Sequence, residues 1–159
     1  MRDPLYSANV SSKSGGRKPE EGADMRDPES RRTSSGASPR EELLAGILKV
    51  LWSFSKYIVN VTSSSREARL RIKVALICGF TLNIYFHTTT GGYGFTLVKA
   101  GRVIMRWDNA PHHPYISTYP HHLHDENGEI KPSDLVGNPI LDLPKVMVRV
   151  VDILSKRCV

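Results

Sequence analysis

From Ser38 to Ile58 the large apolar residues Leu44, Ile47, Leu48, Leu51, Phe54 and Ile58 recur every three or four positions. That spacing predicts an amphipathic helix with one buried stripe. Its start is marked by Ser38 and Glu41, whose side chains suit a reciprocal capping box, and by Pro39 at the first helical position, where a missing N–H costs nothing. The polar face is not strongly basic, so the stripe is expected to cover a core rather than lie on a membrane. The period then falls to two. Val59 to Thr62 fits either a helix end or a strand start. Across Ala68–Ile77, Leu70, Ile72, Val74 and Leu76 alternate with Arg69, Arg71, Lys73 and Ala75. Across Thr81–Thr88, Leu82, Ile84 and Phe86 alternate with Asn83, Tyr85 and His87. Both stretches read as strands with one apolar face.

The alternation also constrains the turns. A three-residue loop, Cys78-Gly79-Phe80, pairs Leu76 with Leu82, Val74 with Ile84 and Ile72 with Phe86, and keeps one face apolar. It places Lys73 opposite Tyr85 and Arg71 opposite His87. A second three-residue loop, Lys99-Ala100-Gly101, pairs Leu97 with Val103, Phe95 with Met105 and Tyr93 with Trp107, with Gly101 supplying a positive φ. Arg106 and Asp108 then face the polar side. The expected fold class is α+β: an antiparallel meander of four or five strands, apolar on one face and basic on the other. An N-terminal and a C-terminal helix pack on the apolar face, and a histidine- and proline-rich loop follows the last strand. Asp125 to Gly128 reads as a turn. Asp142 is expected to cap a final helix over Leu143–Arg157, with Leu143, Met147, Val150 and Leu154 inward, although Val146 to Val151 is β-branched enough to admit a strand.

Composition adds a boundary. Residues 1–37 are built mainly from Ser, Gly, Pro, Arg and Glu, too poor in apolar side chains to offset the entropy of ordering, so they read as a disordered polar tail ahead of a single domain over 38–159. MRDP occurs at Met1–Pro4 and again at Met25–Pro28, which fits either an alternative start at Met25 or a small duplication in the tail. The tail holds seven Lys/Arg against six Asp/Glu, leaving fifteen against ten of the chain's 22 and 16 for the domain. The net charge of +6 therefore belongs to the folded part and points to an anionic partner. The N-terminus lacks the apolar core of a secretory signal, and no window is long enough to span a membrane. Cys78 and Cys158, without a CxxC pair, argue against a disulfide framework or thiolate zinc and fit a reducing cytoplasm.

Candidate chemistry concentrates in Arg106–His124, RWDNAPHHPYISTYPHHLH, which contains His112, His113, His121, His122 and His124. Arg106 and Asp108, two apart on one strand, face the same way. They form either an ion pair or a site in which Arg106 meets a phosphate and Asp108 orients a histidine. Asn109-Ala110-Pro111 suggests an Asx turn with a cis proline. The polar face as predicted carries Arg69, Arg71, Lys73, Tyr85 and His87, cations with an aromatic platform suited to a phosphate backbone and stacked bases. Catalytic candidates are His112, His113, His121 and His122 with Asp108 and Arg106. Free imidazoles can take a proton from a 2′-hydroxyl and give one to a leaving 5′-oxygen, with no cofactor. The alternative is a divalent metal such as zinc held by His122 and His124 with His112 or His113, water completing the shell. A third reading leaves the histidines to stiffen the loop.

The stretch Arg106-Trp107-Asp108-Asn109-Ala110-Pro111-His112-His113, followed by Thr118-Tyr119-Pro120-His121-His122 and His124, resembles the signature of the TumE family, toxins of prokaryotic toxin–antitoxin pairs. The likeness extends more loosely over about residues 40–155. Leu123 stands where the family commonly has a basic residue. The resemblance implies a growth-inhibiting toxin neutralised by a cognate antitoxin, commonly a helix-turn-helix protein. The basic face and the histidines add the expectation of a metal-independent ribonuclease in the cytoplasm, binding RNA, with no membrane and with a homodimer as one possible assembly. The alternatives are a metal-dependent hydrolase or nucleotide-modifying toxin, and a binding module that turns nothing over.

Overall fold

The computed structural model describes residues 36–158. The expected tail, Met25 and the MRDP repeat lie outside the described residues, except for Gly36 and Ala37. The α+β expectation holds. Helix α1 (Pro39–Trp52) leads, seven strands follow, and helix α2 (Pro139–Arg157) closes the domain. The strands are β1 (Ile58–Arg66), β2 (Arg69–Leu76), β3 (Phe80–His87), β4 (Tyr93–Lys99), β5 (Arg102–Asp108), β6 (His122–His124) and β7 (Ile130–Pro132). They form one antiparallel sheet in chain order, a longer meander than the four or five strands expected.

The capping box at the start of α1 is present: Glu41 N donates to Ser38 Oγ (3.3 Å) and Ser38 N to Glu41 Oε2 (2.7 Å). The helix stops at Trp52, earlier than its apolar stripe suggested. Ile58, counted into that stripe, opens β1 instead, and Leu48 is exposed. Ile47 and Leu51 reach a single core made with Leu70, Ile72, Val74, Leu82, Phe95, Leu97, Met105 and Trp107 of the sheet and Leu143, Val146, Met147, Val150 and Leu154 of α2. Both helices therefore cover the apolar sheet face, and the other face is left open.

Both hairpin registers differ from expectation. The β2–β3 loop has three residues, but it is Ile77-Cys78-Gly79, with Cys78 and Gly79 at positive φ (57° and 74°). Phe80 is thereby drawn into β3 and buried, where the expected loop would have left it outside. Moving the loop by one residue slides the register by two. Val74 faces Leu82, Ile72 faces Ile84, Arg71 faces Tyr85, Lys73 faces Asn83 and Arg69 faces His87. A slip of two preserves every face, so hydrophobic alternation cannot detect it. The β4–β5 turn has two residues, Ala100 and Gly101, both at positive φ (49° and 76°), the signature of a type I′ turn. Alone, that turn would set Leu97 against Ile104. A bulge at Ile104 restores the faces, so Leu97 meets Met105, Phe95 meets Trp107 and Thr96 meets Arg106.

The C-terminal helix begins four residues before its expected start. Asn138 caps it by accepting from Ile140 N (3.1 Å) and Leu141 N (3.3 Å), and Pro139 takes the first position. Asp142 is not the cap. It is fully buried and accepts hydrogen bonds from Val136 N and Gly137 N (3.0 and 2.8 Å), tying the preceding loop to the helix. Val146 to Val151 is helical despite its β-branched residues. Cys78 and Cys158 are joined in a disulfide, with Cα atoms 5.7 Å apart. This corrects the sequence expectation and removes the basis for inferring a reducing compartment from the cysteines. Among the described residues no helix is long and apolar enough to cross a membrane.

Candidate functional site

The open sheet face is concave and carries a groove of roughly 930 Å³ whose lining includes Arg71, Lys73, Asn83, Tyr85, Thr96, Arg106 and Asp108. These residues are adjacent because the registers put them on one face: Lys73 beside Asn83, Arg71 beside Tyr85, Thr96 beside Arg106. The Arg71 guanidinium lies 5.9 Å from the centre of the Tyr85 ring, a cation–π arrangement that leaves an aromatic platform in the groove. Two expected members are elsewhere. Arg69 pairs with Glu67 at 3.7 Å, and His87 accepts from Thr90 N through Nδ1 (3.3 Å). They face each other at the strand ends, two residues beyond Arg71 and Tyr85, and do not line the groove.

Along β5 the groove meets the histidines. The segment expected to be a loop throughout is a strand over His122–His124, paired with β5 so that Asp108 faces His122 and Arg106 faces His124. The alternation His122-Leu123-His124 was the available signal, since Leu123 packs against the core while both histidines face the polar side. Residues 109–121 fold back over them in a series of turns. Asn109 anchors the start, accepting from Tyr93 N (2.9 Å) and donating to Gly91 O (3.0 Å). The Asx turn belongs to Asp108, whose Oδ1 accepts from Ala110 N (2.9 Å). The cis proline peptide is Tyr119–Pro120, not Ala110–Pro111.

This fold-back brings four imidazoles together. Ring centroids are 4.2 Å apart for His112–His113, 4.8 Å for His112–His122, 4.7 Å for His113–His122 and 5.0 Å for His122–His124. One nitrogen from each of the four lies within 4.8 Å of all the others. His121 is not among them. It turns the opposite way from His122, as neighbours in extended chain must, and stacks on Tyr93 with Nδ1 3.0 Å from the phenol oxygen. Burial, followed by the charges of Asp142 and Asp108, pushes the Tyr93 phenol well up, so it stays protonated within its hydrogen bond to His121. That contact pins the loop, a role the sequence did not suggest for Tyr93.

Asp108 is the junction of groove and cluster. It is 2 % exposed. Its Oδ2 is 2.8 Å from Arg106 Nε, the expected ion pair, and its Oδ1 is 3.3 Å from His122 Nε2. The His122 contact lacks hydrogen-bond alignment, and His113 Nε2, His122 Nε2 and His124 Nε2 are all buried without a hydrogen-bond partner. Burial, then the neighbouring His112 and His122, holds the His113 imidazole below its ordinary value. Burial and His122 do the same to His124 against the opposing pull of Asp108. Both rings are thereby biased towards the neutral form, with a nitrogen lone pair to offer.

A family model described as Toxin TumE matches residues 46–154, more than half of the chain and the whole of the groove and histidine cluster. No curated protein and no solved structure matches.

Proposed function

The chain belongs to the TumE family of toxins, and from that premise we propose that it acts on RNA, holding the phosphodiester backbone in the basic groove and breaking it at the histidine end. Membership of a toxin family implies a cognate antitoxin that neutralises it. The observation that carries the RNA reading is continuity. The cations of the concave face run from Arg71 and Lys73 to Arg106, and Arg106 holds the same Asp108 that touches His122. Phosphates along that line would be met by three cations and a base could stack at Tyr85, a combination that fits single-stranded RNA. Arg106, exposed on one side and paired with Asp108 on the other, is placed to stabilise charge developing on a phosphoryl oxygen. Free imidazoles would complete the reaction by carrying a proton from the 2′-hydroxyl to the 5′-oxygen. The unpartnered nitrogens favour an ion between the rings instead. His121, held by Tyr93, contributes to the shape of the loop rather than to the reaction.

Purified protein should shorten single-stranded RNA, and His112→Ala should abolish that shortening. Lys73→Glu should weaken binding and lower the slope of log affinity against log salt by about 0.7 for each phosphate no longer neutralised. RNA left intact by antitoxin-free protein, with and without added divalent metal, would remove the nucleolytic reading. Binding with an unchanged salt slope in Lys73→Glu would remove the groove from it.

A further inference from the structure

We propose that His113, His122 and His124 bind one divalent transition-metal ion of the zinc class through their Nε2 atoms, with a nitrogen of His112 closing the fourth position. The first argument is orphaned polarity. Each of these three Nε2 atoms is buried without a hydrogen-bond partner. Buried polar atoms are satisfied in the great majority of cases, and three orphans in one place share one remedy, a cation between them. Protons would not serve as well. A proton on His122 Nε2 would not be aligned with Asp108, and adding charge to several rings packed 4.2 to 5.0 Å apart is repulsive.

The second argument is the orientation of the rings. His122 Nδ1 lies 2.9 Å from the Pro120 carbonyl oxygen, which can only accept. Nδ1 therefore carries the proton and Nε2 presents its lone pair to the cluster. A ligand histidine held by a backbone carbonyl through its other nitrogen is the usual outer support of a metal site. His113 Nδ1 is engaged by the Tyr115 hydroxyl at 3.1 Å, a partner able to accept the Nδ1 proton and so leave the buried Nε2 as a ligand. The third argument is size. Tetrahedral zinc–imidazole bonds of about 2.0 Å put ligand nitrogens roughly 3.4 Å apart. The present set lies within 4.8 Å, a span that small ring rotations close. An all-nitrogen donor set of this kind selects zinc, nickel, copper or cobalt over magnesium and calcium, which prefer oxygen. Asp108 stands outside the ligand set, where its carboxylate balances the ion's charge. His112, the exposed ligand, covers the side nearest Pro111 and the groove.

The site is tested on full-length, chelator-treated protein by titration with zinc in a calorimeter and with cobalt(II) by visible spectroscopy. One ion per chain is expected, with the intense cobalt bands of four-coordinate geometry. His113→Ala and His124→Ala, neither fully buried, should each weaken zinc binding at least tenfold with circular dichroism unchanged, and the double variant should abolish it. His87→Ala, outside the cluster, should leave the affinity as it was. Absence of stoichiometric binding, or wild-type affinity in the double variant, overturns the site. Zinc binding by a protein that leaves RNA intact supports the site and removes the nucleolytic proposal; RNA cleavage without bound metal does the reverse.

Discussion

Asp125 shows how one side chain organises a stretch that the histidine strand depends on. It follows His124 directly, accepts from Asn127 N and Glu129 N through Oδ1 (both 2.9 Å), and pairs with Lys131 through Oδ2. Those bonds close the turn that returns the chain as β7, which pairs with β6 and so holds His122 and His124 from the outer side. Lys131 above all, then the backbone donors, holds the Asp125 carboxyl below its ordinary value. A carboxyl with a lowered folded pKa stabilises the fold at pH above its unfolded value of about 4, and that contribution disappears as the pH falls through the folded value. Asp125→Asn should therefore melt lower than the wild type at pH 7, with the gap closing below about pH 4. A gap in melting temperature that stays constant across that range would mean that the ionised carboxylate contributes nothing of its own. At this scale the sequence is legible in part. Asp125-Glu126-Asn127-Gly128 reads as the turn it is, but the Asp142 carboxylate reads as a cap and is not one. An N-cap and a buried carboxylate one turn later both accept backbone N–H groups, and only the path of residues 136–137 distinguishes them.

At the scale of elements, the groove exists because two hairpins arrive in register. The β4–β5 turn needs positive φ at both central residues, and Gly101 supplies one of them without strain. Gly101→Ala should destabilise the domain by about 1–2 kcal/mol, the usual penalty for an L-residue in the left-handed region, read as a shift in the urea midpoint at constant slope. A neutral result would show that the turn can relax into the three-residue form that the alternation suggests. Element type is largely announced: the helical stripe is read through Ile58, which opens β1 instead, but Leu70, Ile72, Val74, Leu82, Ile84, Phe95 and Trp107 are all on the face assigned to them. Partners are not. A two-residue slip at Cys78 and the bulge at Ile104 leave every face unchanged, so they are invisible to the alternation. Burial of Phe80 decides the first, and the type I′ turn requires the second. His122–His124 escapes recognition as a strand because an alternation of three residues is too short to stand out, and its pairing comes from β5 and β7.

For the molecule as a whole, the one covalent cross-link joins the β2–β3 turn to the end of α2 across a sequence separation of 80 residues. Closing so long a loop restricts the unfolded chain, which typically stabilises a domain by about 2–4 kcal/mol. Reduction, or Cys158→Ser, should lower the unfolding free energy by that amount in denaturant titrations, and equal midpoints with and without reductant would show the thiols to be unpaired in solution. Neither cysteine announces its partner, because a pairing of this kind depends on where the last turn of α2 ends, not on any local spacing. The same division holds for the protein's chemistry. By itself the sequence determined the fold class, the inward faces of strands and helices, the basic excess of the domain and its kinship with a toxin family, all of which rest on local periodicity, composition or a contiguous motif. Tertiary structure decided which of the five clustered histidines lie together. It put His121 on Tyr93 and gathered His112, His113, His122 and His124 around one point. Alternation tells which side of a strand a residue faces; how a 13-residue loop, 109–121, folds back over that side depends on anchors such as Asn109 to Tyr93 and Thr118 to Ser133, made between residues far apart in the chain.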